Sequence, residues 1–330
     1  MKRSTDHADC SGCSLCLLVC PMWRQSRDIA QSAHGYAKAL QHGATVNEIA
    51  AEVWSCTLCG ACDPVCPEQM DVTGMIYNLR SQLDHSPFKN TLKEFARWDL
   101  PPGQESLKHS QITPHKSMSS TLFLPNPALR AHPKTLVRAV TLLASDMKIS
   151  VCEDDAADIS LALEIGEDIP SHRLNQFLAL LKGGEEIIVT DGLLMKHLKQ
   201  WLPEAKIISL GEALSRHASV RRNLKAADLY VIEPRAYHAD YQRLVKYYDQ
   251  LQMETGSAFN LDLQRIAIPA TSRSLPQRLG LIMSDDDQQA RWLLQGRAIE
   301  RIVVESLEDQ AALAKVTNVL VVHLADLSSR

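Results

Sequence analysis

The sequence predicts an α+β protein of several domains, in which a helical, cysteine-rich N-terminal domain is followed by a duplicated α/β domain. Two observations support this. Two matching groups of four cysteines lie among short helical patterns in residues 1–98, and after residue 118 short apolar strands alternate with amphipathic helices. We expect a helical domain over 1–98, a linker over 99–117, and the two halves of the α/β domain over 118–224 and 225–330.

The composition allows a large core and restricts the choice of partner. The chain has 330 residues, of which 45% are hydrophobic and 22% are charged, enough for two or three domains. A formal net charge of −4 argues against a nucleic-acid partner, because phosphate binding requires clustered Lys and Arg.

The N-terminus predicts a cytoplasmic location. Met-Lys-Arg-Ser-Thr-Asp-His leads directly into the first cysteine group and leaves no room for an apolar signal core. No apolar run reaches the ~20 residues that span a bilayer. We therefore expect a cytoplasmic chain without a transmembrane segment of its own, either free or peripheral to a membrane complex.

Eight of the nine cysteines form two copies of the spacing C-x2-C-x2-C-x3-C-P. The first copy comprises Cys10, Cys13, Cys16, Cys20 and Pro21, and the second comprises Cys56, Cys59, Cys62, Cys66 and Pro67. In a reducing compartment, closely spaced thiols are more often metal ligands than disulfides. Three thiolates at this spacing wrap one cluster, and the Cys before Pro ligates the other cluster in two-cluster proteins.

This spacing predicts two [4Fe-4S] clusters with crossed ligands. We assign Cys10, Cys13, Cys16 and Cys66 to the first cluster, and Cys56, Cys59, Cys62 and Cys20 to the second. The crossing makes cluster binding part of the folding energy of residues 1–98. A zinc site is the alternative, but zinc needs two C-x2-C pairs, whereas this chain offers two triads and two Cys-Pro pairs.

Helix signals surround the cysteine groups. Thr45 and Glu48 form a capping box that opens a helix leading to Cys56. A second helix is expected after Asp71, and a third after Ser86-Pro87 that continues to Ala96. The pattern stops between Asp99 and Ser120, where we place the domain boundary.

Strands are predicted throughout the α/β domain. They cover Thr121 to Leu124, Lys148 to Cys152, Glu186 to Thr190, Lys206 to Leu210, Leu229 to Ile232, Gln264 to Ile268, Leu279 to Met283, Arg301 to Val304 and Val319 to His323. The strand–helix–strand unit that starts at Glu186 matches the one that starts at Arg301, and their helices follow the capping residues Asp191 and Ser306. We infer a duplicated unit; chance similarity of two common units is the alternative.

The paired cysteine groups and the long helical insert between them resemble the α-helical ferredoxin domain of the iron–sulfur subunits of glycolate oxidase, lactate oxidation complexes and heterodisulfide reductase. All eight ligands are present in residues 1–98. The rest of the chain resembles, more weakly, the duplicated cysteine-rich domain of glycolate oxidase iron–sulfur subunits and of the B subunit of heterodisulfide reductase. Here Thr190-Asp191-Gly192 follows a strand where that family places a cysteine, and Glu233-Pro234-Arg235 resembles its Asp-Pro-Cys.

The departures from that family bear on function. Its adjacent cysteine pair is absent, and Cys152, which we expect to be an inert buried thiol, is the one thiol of the region. A site built from several thiolates therefore cannot form there. The resemblance implies a degenerate, Rossmann-like scaffold that has lost its catalytic cluster. The α/β region also lacks the glycine loops of dinucleotide and P-loop sites.

These features favour a non-catalytic electron-transfer subunit of an oxidoreductase complex, with no catalytic residues of its own. The resemblance implies a flavoprotein dehydrogenase or another iron–sulfur subunit as its partner. One alternative is an enzyme with a pocket at the strand ends, lined by Thr190, Asp191, Glu233, Arg235, Glu305 and Ser306. Another is a redox-sensing or scaffold module.

Overall fold

The computed structural model describes residues 3–88, 120–271, 273–281 and 287–329. Residues 3–88 are helical and contain no strand. Their α-helices are α1 (Leu15–Val19), α2 (Pro21–Ser26), α3 (Ala33–Gln41), α4 (Ala50–Ser55), α5 (Cys62–Val65) and α6 (Val72–Arg80), with short 3-10 turns between them.

Two of the three predicted helix starts in this domain are confirmed by their caps. The Thr45 amide donates to Glu48 Oε2 at 2.7 Å, and the Glu48 amide donates to Thr45 Oγ1 at 3.4 Å. This capping box opens a 3-10 turn that leads into α4. Asp71 Oδ1 accepts from the Gly74 amide at 2.8 Å and caps α6. The predicted third helix is described only at Ser86–Phe88, a 3-10 turn; its remainder and the linker 99–117 lie outside the described residues.

The α/β region contains two parallel four-stranded sheets. The first has the order β2-β1-β3-β4 and the second the order β10-β9-β5-β6. The strands are β1 (Thr121–Leu124), β2 (Ile149–Val151), β3 (Glu186–Val189), β4 (Lys206–Ser209), β5 (Asp228–Val231), β6 (Ala258–Phe259), β9 (Arg301–Val304) and β10 (Leu320–His323); β7 (Leu261–Asp262) and β8 (Ile266–Ala267) form a separate antiparallel pair. The α/β layer architecture is therefore as predicted.

Helices connect and cover these strands. They are α7 (Pro127–Arg130), α8 (Pro133–Asp146), α9 (Ala157–Ile165), α10 (Ser171–Leu181), α11 (Gly192–Trp201), α12 (Leu210–Arg216), α13 (Ala218–Asn223), α14 (Pro234–Ala239), α15 (Tyr241–Thr255), α16 (Leu275–Arg278), α17 (Asp287–Leu294) and α18 (Leu307–Ala314). Asp191 caps α11 and Ser306 caps α18, as predicted.

Two strand predictions are wrong in part. Residues 279–281 form a turn, not the start of a strand, because a capping box at Ser274 opens α16 and Gly280, at φ 71°, follows its end. The apolar residues after Leu279 misled the prediction, and residues 282 and 283 lie outside the described ranges. Of Gln264 to Ile268, only β8 is a strand, and it pairs outside the two main sheets.

Two strands, β6 and β7, were missed. β6 has two residues and completes the second sheet beside β5. A strand this short carries no readable alternation of apolar and polar residues.

The packing joins the sheets to each other and to the helical domain. One apolar core contains Phe123 and Ile188 of the first sheet together with Tyr230 and Val303 of the second. Leu193 of α11 is buried in the core of the helical domain. Cys152 is buried among apolar residues, as predicted. Within the described ranges, no helix is both long and apolar enough to cross a membrane.

Candidate cluster-binding site and the adjoining cavity

The two cysteine loops share one backbone conformation. In each loop the residues before and after the second cysteine have positive φ: Gly12 (82°) and Ser14 (66°) flank Cys13, and Leu58 (53°) and Gly60 (76°) flank Cys59. Ser14 and Leu58 hold a left-handed conformation that side chains rarely adopt, and such residues concentrate at functional sites. Alternation of right- and left-handed residues turns successive amides toward the inside of a loop.

The second loop packs closely against α14 at Gly60. A Cβ at Gly60 would lie 2.9 Å from the Cβ of His238 on α14. The positive φ of Gly60 and this close approach together require glycine. The loop therefore folds directly against the α/β region.

The first predicted ligand set surrounds one cavity. Its wall contains Cys10, Cys13, Cys16 and Cys66, with Ala37, Met70, Val72 and Met75 among the apolar residues. Three of these thiols belong to the first loop and the fourth belongs to the second loop. Cys13 is exposed, so this cavity is close to the surface.

The second predicted set surrounds a neighbouring cavity. Its wall contains Cys20, Cys56, Cys59 and Cys62, together with Cys16, Tyr36, Leu58 and Ile76. Cys16 lines both cavities, which are therefore adjacent. The first cavity is walled by three thiols of the first loop and by Cys66 of the second, and the second cavity by three thiols of the second loop and by Cys20 and Cys16 of the first.

Burial keeps several of these thiols neutral without metal. Burial, followed by the charges of Cys10, Cys13 and Cys66, raises the pKa of Cys16 to about 11. Burial also raises the pKa of Cys20 to about 12, with contributions from Cys56 and Cys59, and that of Cys59 to about 11. Metal ligands must be thiolates, so binding has to displace protons and should strengthen as the pH rises.

The residues present fit a pair of four-iron clusters. In the described part of the chain, no group of three or more His, Cys, Asp or Glu side chains is arranged to hold a metal ion; the thiols line cavities instead. A four-iron cluster takes its four thiolates from around its periphery, and apolar walls and amide donors set its potential. The cavity walls supply the cysteines and the apolar residues, and the loop conformation supplies the amide donors.

Three side chains hold the backbone of the second loop. Arg80 Nη2 donates to Cys56 O at 2.6 Å, and Arg235 Nη2 donates to Thr57 O at 2.7 Å. His238 Nδ1 lies 2.7 Å from Cys59 O. Burial lowers the pKa of His238 to about 4, so the ring is neutral and Nδ1–H is the donor. Arg235 and His238 belong to α14, so the α/β region shapes this loop.

These three residues were not identified from the sequence as part of the cluster site. Arg80 follows the apolar residues of α6 and has no motif of its own, and Arg235 was assigned only to a pocket. Arg235 lies 178 positions from Thr57. No local pattern in the sequence could have predicted that these side chains bind the second loop.

A third cavity lies between the two sheets and has a volume of ≈ 330 Å³. It is lined by all six residues expected at the strand ends: Thr190, Asp191, Glu233, Arg235, Glu305 and Ser306. It lies beyond the carboxyl ends of the central strands β1, β3, β5 and β9, where ligands bind in open α/β sheets. The expectation that these residues form one pocket is confirmed.

The cavity is rich in acids. Its wall carries Glu164, Asp191, Glu233, Glu305 and Glu308 against Arg235 and Arg278. Burial raises the pKa of Glu233 and of Glu305 to about 7. Burial would also raise the pKa of Glu164, but Arg278 and Arg235 outweigh it and lower that pKa to about 2.

The helix ends at this cavity are already capped by the chain itself. Asp191 Oδ1 accepts from the Leu193 amide at 2.9 Å, and Glu233 Oε2 accepts from the Ala236 amide at 2.6 Å. These carboxylates occupy the positions that an anionic ligand would take at a helix N-terminus. The lining therefore suits a neutral polar or cationic molecule better than an anion.

Comparison with known proteins agrees with the cysteine geometry. Residues 6–70 match the family described as 4Fe-4S dicluster domain. No curated protein matches the chain. The match supports an iron–sulfur, ferredoxin-like protein with an electron-transfer role.

Proposed function

We propose that this chain is an electron-transfer subunit that relays single electrons through two [4Fe-4S] clusters within a larger oxidoreductase complex. The observation that carries the proposal is the crossed arrangement of thiols around two adjacent cavities. Cys10, Cys13, Cys16 and Cys66 would hold the first cluster, and Cys56, Cys59, Cys62 and Cys20 the second. Bound there, the clusters would supply one-electron chemistry, while the chain's apolar walls would exclude water from them.

The exposed side of the first cavity is where a partner would exchange electrons. Ser11 and Cys13 are exposed there, and Leu18 of α1 is 47% exposed. The family resemblance suggests a flavoprotein dehydrogenase or another iron–sulfur subunit as the partner. That partner would handle substrate, protons and hydride.

The sheets also support a duplicated α/β scaffold. In chain order, the four strands of each sheet have the same arrangement, 2-1-3-4. The unit β3-α11-β4 of the first sheet corresponds to β9-α18-β10 of the second. We interpret the region as a Rossmann-like duplication, related to the cysteine-rich repeats of heterodisulfide reductase and glycolate oxidase subunits but without their thiols.

The ligand crossing is tested by changing the last cysteine of each loop. Cys20→Ser should damage the cluster of Cys56, Cys59 and Cys62, and Cys66→Ser should damage the cluster of Cys10, Cys13 and Cys16. Mössbauer and EPR spectra of the two variants should therefore lose different clusters, with Cys152→Ser unchanged as a control. Loss of the cluster held by the sequence neighbours would refute the crossing.

The cavity between the sheets favours a second candidate function, an oxidoreductase with its own substrate site. Its six predicted residues do line one cavity, and Arg235 connects that cavity to the second loop. The acid-rich lining would take a neutral polar or cationic substrate.

The two functions are separated by the behaviour of the purified chain. The second requires that the cluster-loaded chain alone be reduced by a donor substrate, seen as bleaching of cluster absorbance, and that Asp191→Ala abolish this with the clusters intact. Alcohols and amines form the test panel, and hydroxy acids, which are anionic near neutral pH, are the controls expected to fail. Reduction only in the presence of a partner protein would favour the relay.

A further inference from the structure

We propose that the α/β region sets the reduction potential of the second cluster, through Arg235 as a charged positioning residue and Glu164 as its counter-charge. This rests on the proposed function, because it requires clusters at the two thiol sets. It assigns the α/β region a part in the redox site itself.

Arg235 brings a partly buried positive charge from the α/β region to the second loop. Its Nη2 donates to Thr57 O at 2.7 Å and to Glu164 Oε1 at 3.0 Å, and its side chain is 19% exposed. Thr57 directly follows the ligand Cys56. The cation is therefore held one residue from a thiolate that would carry cluster charge.

Arg80 adds a second cation on the same stretch of the loop. It is fully buried, and its Nη2 donates to Cys56 O at 2.6 Å and to Val53 O at 3.2 Å. Its Nη1 donates to Glu164 O at 2.7 Å. Arg80 belongs to the helical domain, so it supplies a constant positive background beside Cys56, to which the α/β region adds Arg235.

Glu164 of α9 is the matching negative charge. Its side chain is 5% exposed and pairs with both Arg235 and Arg278. Glu164 is therefore next to Arg235, which binds the second loop, and its backbone oxygen accepts from Arg80 Nη1 at 2.7 Å. The α/β region thus places charges of opposite sign near the second loop.

The direction of each effect follows from the charge of the reduced state. Adding an electron makes a cluster more negative, so a nearby buried cation stabilises the reduced form and raises the potential, whereas a buried anion lowers it. Burial matters here because water screens such interactions weakly inside a protein. At the first loop, a cation of the helical domain makes the comparable contact: Lys38 Nζ donates to Cys10 O at 3.2 Å.

Two variants, each of which replaces one charged side chain by a neutral polar one, provide the test. Arg235→Gln removes the cation and should shift the midpoint potential of the second cluster to a more negative value. Glu164→Gln removes the anion and should shift it to a more positive value. Arg235→Lys keeps the charge and should restore most of the potential, and Arg138→Gln, which breaks the half-exposed pair with Asp326, should leave both potentials unchanged.

The measurement is an EPR-monitored redox titration of the full cluster-loaded chain, which reports both clusters. Opposite shifts of the second cluster, with the first cluster shifting less, would support the proposal. General damage to the loop would instead move both variants in the same direction, and that result, or no shift, would overturn it.

The outcomes remain distinct if a variant loses its cluster. If Arg235→Gln loses its cluster, Glu164→Gln decides, and a negative or absent shift overturns the inference; if Glu164→Gln loses it, Arg235→Gln decides, and a positive or absent shift overturns it. A wild-type chain that assembles no clusters, or clusters that cannot be reduced, would refute the proposed function instead.

Discussion

Arg173 forms a buried ion-pair group with Asp154 and Asp158 in the α/β region. Arg173 is 2% exposed and makes four hydrogen bonds to two carboxylates: Nη1 and Nη2 bind Asp154, and Nε and Nη2 bind Asp158, all at 2.7–3.0 Å. These groups tie the start of α9 to α10. A buried pair adds little net stability when complete, but removing one partner leaves an uncompensated charge.

Arg173→Met should therefore be strongly destabilising. It would remove four charge-assisted hydrogen bonds from two buried carboxylates, at a cost of ~3–5 kcal/mol in the free energy of unfolding. Urea denaturation followed by circular dichroism measures it. Arg138→Gln breaks an ion pair that is half exposed on the arginine side and should cost about 0–1 kcal/mol. Equal losses in the free energy of unfolding for the two variants would show that burial does not make the Arg173 ion pairs more important than the exposed one.

Glu305 predicts a pH dependence of stability. It accepts hydrogen bonds from Tyr230 and Tyr248, yet burial raises its pKa from 4.5 to about 7. The folded pKa lies above the unfolded value, so the folded state binds the proton more tightly. This stabilisation is fully present below pH 4.5 and is lost as the pH rises through 7.

Glu305→Gln should remove that dependence. Between pH 4.5 and 8, the stability of the wild type should fall relative to the variant by ~3 kcal/mol. Denaturant unfolding of both proteins at several pH values gives the difference in the free energy of unfolding. Other groups, including Glu233, titrate in both proteins, so their contributions cancel in this difference. A constant difference across this range would show that Glu305 is ionised throughout.

Two helices link the cavity to the helical domain. α11 begins at Asp191 and α14 at Glu233, both at the cavity. Further along, Lys196 of α11 binds Asp71 and Asp63, at 2.5 and 3.3 Å, and α14 supplies Arg235 and His238 to the second loop. The same pair of helices thus contacts both the cavity and the cluster loop.

Lys196→Met should loosen this contact without unfolding the sheets. The variant leaves Asp63 and Asp71 without their shared cation, so the amides of α5 and α6 should exchange hydrogen faster. Lys199→Met, on the same helix but paired with Asp240 within the α/β region, is the matched control. Hydrogen-exchange mass spectrometry compares them. Unchanged exchange in α5 and α6 would show that the ion pairs do not hold the contact.

At the level of elements, the sequence predicted features that depend on neighbouring residues, but not contacts between residues that are distant along the chain. The capping residues Thr45, Asp71, Asp191 and Ser306 were found because a cap lies within three residues of its target. The spacing of the eight cysteines likewise carries its chemistry locally. The support of the second loop by α14 and the pairing of β6 with β5 depend on tertiary packing, which no short pattern encodes.

At the level of the whole molecule, metal binding and folding should be coupled in one domain only. The core of the helical domain packs against the ligands Cys10, Cys56, Cys62 and Cys66, whereas the cores of the sheets contact none of the eight ligands. Removing iron should therefore unfold residues 3–88 and leave β1 to β10 protected. Hydrogen exchange with and without a chelator measures this. Loss of protection across the whole chain, or in neither part, would contradict separate folding units.

The central claim is that the crossed loops hold two reducible [4Fe-4S] clusters. It is tested most directly by iron and acid-labile sulfide analysis of the full chain, together with EPR after dithionite reduction. We expect about eight irons and about eight sulfides per chain, with signals from two interacting clusters that disappear on reoxidation. Bound zinc, about half that iron content, or clusters that dithionite cannot reduce would contradict it.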